Sequence, residues 1–171
     1  DQTDKFPGNT YKVYDWIDDL AVFPYDREFL ERNHGRALRE AAIVASVAAP
    51  LHQQALKIRP DAIYLPNGVE FEAFAKGDRP PAGSHSDPEF DALLRTGKPI
   101  AGYYGALASW FDYDLLDAVA ERRPDWNFVL IGQALDNSLG AHSLLNRENI
   151  TWLGARDYAT LPTYLQHFEV A

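Results

Sequence analysis

Residues 98–132 constrain the fold more than any other stretch, because they follow the order strand, glycine turn, helix, strand in one uninterrupted run. Residues 100–104 are apolar and aromatic, as in a buried parallel strand. A helical pattern follows from about Asp114 and ends before Pro124, which cannot continue a helix. Residues 126–131 form a second apolar run that ends at a glycine. This stretch predicts one βαβ unit with parallel strands.

Glycines mark the predicted carboxyl ends of both strands of this unit. Gly102 and Gly105 accompany the first strand, and Gly132 follows the second, with Gln133 directly after it. Ligands of open α/β sheets bind outside the carboxyl ends of the strands. We therefore expect these four residues to lie on one edge of the sheet and to contact a ligand. The alternative is that the glycines only permit close packing.

The rest of the chain repeats the alternation of strand and helix. Further strands are predicted over residues 11–17, 42–47, 62–65 and 150–153 and from Phe168 onward. Further helices are predicted over residues 25–42, 50–57, 138–145 and 158–166. The fold class is therefore α/β, with Rossmann-like parallel sheets, flanking helices and right-handed crossovers.

A Pro-rich stretch divides the chain. Residues 75–96 include KGDRPPAGSHSDP, a composition typical of a loop, and we interpret them as a linker or crossover loop. The two flanking parts share a short repeated pattern, because RPDAIYLPNG and RPDWNFVLIG place Arg-Pro-Asp at the same distance before a glycine. We predict partial Rossmann-like domains over residues 1–75 and 98–171, joined by residues 76–97.

Composition excludes several classes of function. The formal net charge of −9 and the lack of a Lys/Arg cluster argue against nucleic acid as a partner. The chain has no Cys, and no His pair has zinc-ligand spacing. It also has no apolar run of membrane-spanning length, and we expect no signal peptide. It contains no Met and stops inside an apolar run, so we expect a piece of a longer protein.

Three local patterns suggest other chemistry, and each has a plainer explanation. Asp112-Tyr113-Asp114 has the D-x-D spacing of a metal site, but a helix follows at once, so we interpret the aspartates as caps. The glycines of the βαβ unit spell G-x-x-G without the full dinucleotide fingerprint, which argues against a nicotinamide cofactor. Ser46 lacks the G-x-S-x-G elbow of a hydrolase.

Seven segments together resemble a known family. They are YDWIDDLAVFP, IVAS, YLPNGVEFEAF, GYYGALASWFDYDLL, RPDWNFVLIG, NITWLG and YATLPTYL, in this order along nearly the whole chain. The set resembles retaining glycosyltransferases of GT-B type, family 4, and most of all the branch that builds bacterial surface polysaccharides. The resemblance implies the end of an acceptor-side domain and the start of a nucleotide-sugar donor domain.

The resemblance also implies a function and a site. The protein would be a hexosyltransferase-type enzyme that moves a sugar from a nucleotide-sugar donor to a glycan or lipid-linked acceptor. It would act in the cytoplasm or at the inner face of the membrane, with peripheral membrane association, and without a metal or other cofactor. The implied donor-binding residues are Gly102, Tyr104, Gly105, Ala106, Gly132, Gln133, Gly154, Arg156 and Tyr158. Gly105 would face the donor diphosphate at the N-terminus of the helix that contains Leu115 and Leu116.

Two departures from the family keep a second hypothesis open. The family's catalytic glutamate pair would lie beyond Ala171, so we expect the isolated chain to be inactive and cannot name catalytic residues in it. The basic pair that follows the glycine turn in many members is missing here, where the stretch reads ASWFDYDLL. The alternative is therefore a non-catalytic nucleotide-binding or interaction domain of degenerate GT-B type.

Overall fold

The computed structural model describes residues 10–23, 25–75, 81–83 and 85–171. The chain divides into two compact units, Asp1–Val69 and Glu70–Ala171. Each unit is built around its own parallel sheet.

The first unit contains a three-stranded sheet in the order β1-β2-β3, with parallel neighbours. The strands are β1 (Val13–Trp16), β2 (Ile43–Ser46) and β3 (Ile63–Tyr64). The helices are α1 (Arg27–Glu40) and α2 (Ala49–Leu56), with a 3₁₀ turn at Leu20–Val22. Buried apolar side chains from α1, α2 and one face of the sheet form the core, namely Trp16, Leu38, Ala41, Val44, Leu51 and Ala55.

The second unit contains a four-stranded parallel sheet in the order β6-β5-β4-β7. Its strands are β4 (Ile100–Tyr104), β5 (Asn127–Ile131), β6 (Ile150–Gly154) and β7 (Phe168–Val170). Its helices are α3 (Phe71–Phe74), α4 (Pro88–Leu94), α5 (Tyr113–Arg122), α6 (Ser138–Ala141) and α7 (Leu161–Leu165), with 3₁₀ turns at Ser143–Asn146 and Tyr158–Thr160.

The central strand β5 explains why this sheet holds together. All five of its residues are buried, as expected for a parallel strand covered on both faces. Phe128 and Leu130 point into one apolar cluster, and Val129 and Ile131 into another. Alternate side chains of one strand thus supply both cores. The predicted α/β fold with parallel sheets and flanking helices is confirmed.

The loop predicted over residues 75–96 is wrong in its second half. Helix α4 lies there, and its Phe90 side chain is fully buried in the core of the second unit. The local sequence explains the helix, because Asp87 accepts hydrogen bonds from the Glu89 and Phe90 N–H groups and Pro88 occupies the first turn. The signal was the order Asp-Pro-Glu before Phe90, which the neighbouring prolines obscured. Residues 76–80 and 84 lie outside the described part.

Two smaller expectations also change. The helix predicted over residues 138–145 is a short α6 followed by a 3₁₀ turn, and the helix predicted over residues 158–166 begins as a 3₁₀ turn before α7. Within the described ranges, no helix has the length and apolar character needed to cross a lipid bilayer.

Candidate functional site

Three glycines at the ends of three neighbouring strands lie side by side at the carboxyl edge of the second sheet. The Gly105 N–H donates to the Ile131 carbonyl at 2.9 Å, and the Gly132 N–H donates to the Gly154 carbonyl at 2.9 Å. Of the residues predicted to share this edge, Gly105, Gly132 and Gln133 lie there, and Gly154 of the next strand lies beside Gly132. Their function as donor-binding residues stays a prediction.

Gly132 is required by packing. A Cβ atom at this position would lie 1.7 Å from the Gly105 carbonyl oxygen, far inside any allowed contact. The close approach lets the ladder continue past the strands, because the Leu107 N–H donates to the Gln133 carbonyl at 2.9 Å. Gly132 thus shapes the edge by bringing the loops after β4 and β5 together, which was the alternative interpretation of the glycines.

Gly105 does not lie at the N-terminus of α5, which corrects the expectation on which its phosphate contact depended. Helix α5 begins eight residues later at Tyr113, and its N-cap is Asp112, whose carboxylate accepts from the Leu115 N–H at 2.9 Å. The predicted D-x-D capping is confirmed at Asp112. The Gly105 N–H is engaged by Ile131, so the donor it was expected to offer a phosphate is already used.

The next residue carries the available backbone donor. Among the described residues, the Ala106 N–H donates no hydrogen bond, while the Ala106 carbonyl accepts from the Tyr103 hydroxyl at 3.0 Å. The Tyr103 hydroxyl thus holds the Ala106–Leu107 peptide, which follows the one that carries this N–H. Tyr104 and Gln133, both predicted site residues, are exposed beside it. Ala106, Tyr104 and Gln133 thus present polar groups at the edge of the sheet.

Gly102 has a structural role. It lies in the middle of β4, and a Cβ atom there would lie 1.9 Å from the Phe168 ring. Phe168 is buried in one of the two cores of the second unit. The close approach that Gly102 permits is to this side chain of β7, so its placement among ligand-contacting residues is not supported.

Arg156 lies beside the edge, but all three nitrogens of its guanidinium donate hydrogen bonds within the protein. It donates to the Asp87 carboxylate at 2.7 and 3.0 Å, to the Tyr164 hydroxyl at 3.2 Å, and to the carbonyls of Leu153 and Ala155. Burial alone would raise the pKa of Asp87, yet the hydrogen bonds from Arg156, the Phe90 N–H and Tyr164 lower it. Arg156 therefore ties β6 to the start of α4 instead of offering a free cation.

A carboxylate that the sequence reasoning missed fixes the two edge loops. Asp136 accepts from the Ser109 N–H at 3.0 Å and from the Ser138 N–H at 2.9 Å, and the Ser138 hydroxyl also donates to it. These hydrogen bonds lower the pKa of Asp136. The signal was Asp-x-Ser after a strand, which is typical of a turn that satisfies its own backbone.

Aromatic side chains surround the edge. Trp152 of β6 donates from Nε1 to the Gly132 carbonyl at 2.9 Å and was not predicted as part of the site. Tyr158 is exposed, and its ring contacts Phe74 at 5.4 Å between centroids. Phe111 packs against the core of the second unit, whereas Trp110 is 68% exposed.

Metal ligands do not come together in the described part of the chain. No group of three or more His, Asp or Glu side chains there could hold an ion. Asp114, the second aspartate of the D-x-D pattern, contacts His142 at 3.0 Å. The expectation that the protein uses no metal stays a prediction.

Comparison with known proteins gives one curated relative and several structures. TuaH of Bacillus subtilis, described as a glycosyltransferase of teichuronic acid biosynthesis, is 25% identical over 107 residues. That alignment covers 61% of this chain and 25% of TuaH. No protein-family model matches the chain.

Two crystal structures share the fold. HepE of Anabaena, crystallised with UDP and glucose, aligns with a TM-score of 0.63 and 19% identity over 92% of this chain and 44% of HepE. A glycosyltransferase of Rickettsia africae aligns with a TM-score of 0.50 and 18% identity over 84% of this chain and 40% of its own. The chain thus spans less than half of each of these proteins. It is similar in sequence to one glycosyltransferase and shares the fold of two others.

Proposed function

We propose that the chain belongs to a retaining GT-B glycosyltransferase of family 4 that transfers a hexose from a nucleotide-sugar donor to a glycan or lipid-linked acceptor. The transfer serves bacterial surface-polysaccharide synthesis and occurs in the cytoplasm, with peripheral association at the inner face of the membrane. The enzyme needs no metal. The similarity to TuaH supports the polysaccharide context, and the fold shared with HepE supports the nucleotide-sugar class.

The observation that carries the proposal is the edge formed by Gly105, Gly132 and Gly154. Gly154 ends β6, Gly105 and Gly132 directly follow β4 and β5 in backbone contact with each other, and this carboxyl edge is where ligands of parallel α/β sheets bind. The donor diphosphate accepts from the Ala106 N–H. The exposed side chains of Gln133 and Tyr158 line the nucleotide part of the site.

Neutralisation of the diphosphate needs a cation from another segment of the full-length protein. Arg156 and Asp87 form an ion pair in which the two charges compensate each other. Arg156 therefore attracts a phosphate at the edge only weakly. Its role in this proposal is to fix Gly154 and the turn before Tyr158. That role replaces direct phosphate contact.

The test is calorimetric titration of UDP, GDP, ADP and TDP into the full-length protein. We expect binding of one nucleotide in the micromolar range, and about tenfold weaker binding in Gln133→Ala. Gln53→Ala, which removes an exposed glutamine of α2, is the matched control. If none of the nucleotides binds, or if both glutamine variants bind like wild type, the assignment of the edge is wrong.

The alternative is a degenerate GT-B domain that binds a nucleotide or a partner without catalysis. The engaged state of Arg156 and the missing basic pair favour it. Transfer of labelled sugar from the bound nucleotide's sugar conjugate to any glycan, measured with the full-length protein, separates the two. A protein that binds nucleotide without turnover supports the alternative.

A further inference from the structure

The first unit contains a cavity of about 290 Å³ at the end of its first strand. Trp16, the last residue of β1, lines it together with His34 of α1. Its volume is near the lower end of small-molecule sites, which span roughly 300–1,000 Å³. The carboxyl end of a parallel strand is also where ligands of α/β sheets bind. The cavity therefore suits one small ring.

Two aromatic rings form part of the cavity wall. Phe23 and Tyr25 are roughly parallel, with centroids 6.4 Å apart and planes inclined by 20°. Tyr25 is 68% exposed. A flat aromatic face of this kind offers a surface for the C–H face of another ring.

Polar atoms line the rest of the cavity. The Asp19 carboxylate accepts from the Ala21 N–H through one oxygen at 2.9 Å, which leaves the other for a ligand. The His34 Nδ1 is bonded to the Tyr14 hydroxyl at 2.8 Å, which leaves Nε2. The Gln54 amide also lines the cavity. These groups match the donors and acceptors of sugar hydroxyls.

The charge of the cavity is negative. Among its described lining residues, Arg27 is the cation, and it pairs with Glu31 at 2.7 Å. Asp19 adds a further negative charge. Burial lowers the pKa of His34, which favours its neutral form. An anionic ligand would meet a repulsive field here, whereas an uncharged one would not.

We propose that this cavity binds an uncharged sugar ring, stacked on Tyr25 and hydrogen-bonded by Asp19, and that it discriminates against sugars bearing a carboxylate or a phosphate. The inference rests on the proposed function only for the role of this ring, which is the acceptor's terminal sugar. The binding and its charge selectivity are properties of the cavity alone.

The experiment uses the full-length protein and saturation-transfer NMR with two probes, methyl glucopyranoside and methyl glucopyranosiduronate. We expect millimolar binding of the neutral glycoside and at least tenfold weaker binding of the uronate. Tyr25→Ala should weaken binding of the neutral glycoside about tenfold. Tyr11→Ala removes a tyrosine that is 87% exposed and lies outside the cavity, so it is the matched control.

A separate variant tests the effect of the cavity's negative charge. Asp19→Asn keeps an oxygen for the Ala21 N–H and removes the negative charge. This variant should reduce the ratio of the uronate's Kd to the neutral glycoside's Kd by about threefold, and its melting temperature should equal that of wild type. A preference unchanged in Asp19→Asn, or equal binding of both probes by wild type, would overturn the proposed selectivity.

The experiments distinguish failure of the sugar-binding proposal for this cavity from failure of the proposed glycosyltransferase function. Nucleotide titration reports on the second unit, and glycoside binding reports on this cavity. Nucleotide binding together with no saturation transfer at about 20 mM neutral glycoside would overturn this inference alone. Glycoside binding without nucleotide binding would leave the cavity a sugar site and remove only its acceptor role.

Discussion

The chain repeats one sequence pattern in its two units, and the comparison separates what local sequence decides from what tertiary contacts decide. In both units Arg-Pro-Asp ends a helical segment, and a glycine follows the proline by the same number of residues. Arg59 donates to both carboxylate oxygens of Asp61 at 2.8 Å. Arg123 donates to those of Asp125 at 2.9 and 2.8 Å. The local turn is therefore the same.

The surroundings of the two arginines differ. Arg59 also donates to the Leu38 and Ala41 carbonyls at 2.9 and 2.7 Å, and so satisfies the carboxyl end of α1. The Arg123 guanidinium lies over the Trp126 ring at 4.9 Å. Arg59 thus connects the turn after α2 to the end of α1, whereas Arg123 contacts only residues of its own turn in these interactions.

The glycines that end the two patterns differ more. A Cβ atom on Gly132 would lie 1.7 Å from a backbone oxygen, whereas one on Gly68 would have no atom within 4 Å. A glycine is thus required by packing at position 132 in the second unit, whereas Gly68 at the same spacing in the first unit is not required by packing. Sequence repetition alone could not distinguish them.

The largest effect is expected at this glycine pair. Gly132→Ala should destabilise the protein by about 3 kcal/mol or more, because the clash is with backbone that cannot move aside. Gly68→Ala should change stability by less than about 0.5 kcal/mol. Urea unfolding of the two variants measures the difference. Similar midpoints for both would show that the edge of the second sheet relaxes around an added methyl group.

Most elements follow from the sequence, for reasons visible in particular residues. The βαβ unit of residues 98–132 was predictable because β5 is apolar after its first residue and Asp112 and Pro124 bound α5. Helix α4 was missed because its start signal lies within a Pro-rich stretch. The engagement of Arg156 by Asp87 joins residues 69 positions apart, and no periodicity reports such a contact.

The pairing of Asp87 with Arg156 gives the next largest effect, and it depends on pH. Asp87→Asn keeps the α4 cap but removes the charge, and should cost about 1 to 2 kcal/mol at neutral pH. The folded-state pKa of Asp87 is lowered, so its contribution is complete above the unfolded value of about 3.9 and is lost as pH falls through the folded pKa. The stability difference between wild type and variant should therefore shrink below about pH 4.

Acid titration of urea midpoints for wild type and Asp87→Asn tests this sign. Arg156→Gln removes the same pairing from the other side, so the double variant should be less destabilised than the sum of the two single variants. A difference that grows on acidification would mean that Asp87 is protonated more easily in the folded protein than in the unfolded one.

The smallest effect separates the two arginines. Arg59→Ala removes the donors to the Leu38 and Ala41 carbonyls and leaves two buried-side acceptors of α1 unpaired, so it should lower the urea midpoint clearly. Arg123→Ala removes a ring contact and a local pair at an exposed turn, and should lower the midpoint less. Arg59→Lys tests the geometry, because an ammonium group cannot keep the bidentate pair with Asp61 and both carbonyl bonds at once. We therefore expect Arg59→Lys to fall between wild type and Arg59→Ala, and Arg123→Lys to match wild type. If Arg59→Ala and Arg123→Ala lowered the urea midpoint equally, the two turns would stabilise their units to the same extent. The hydrogen bonds from Arg59 to the end of α1 would then add nothing to stability.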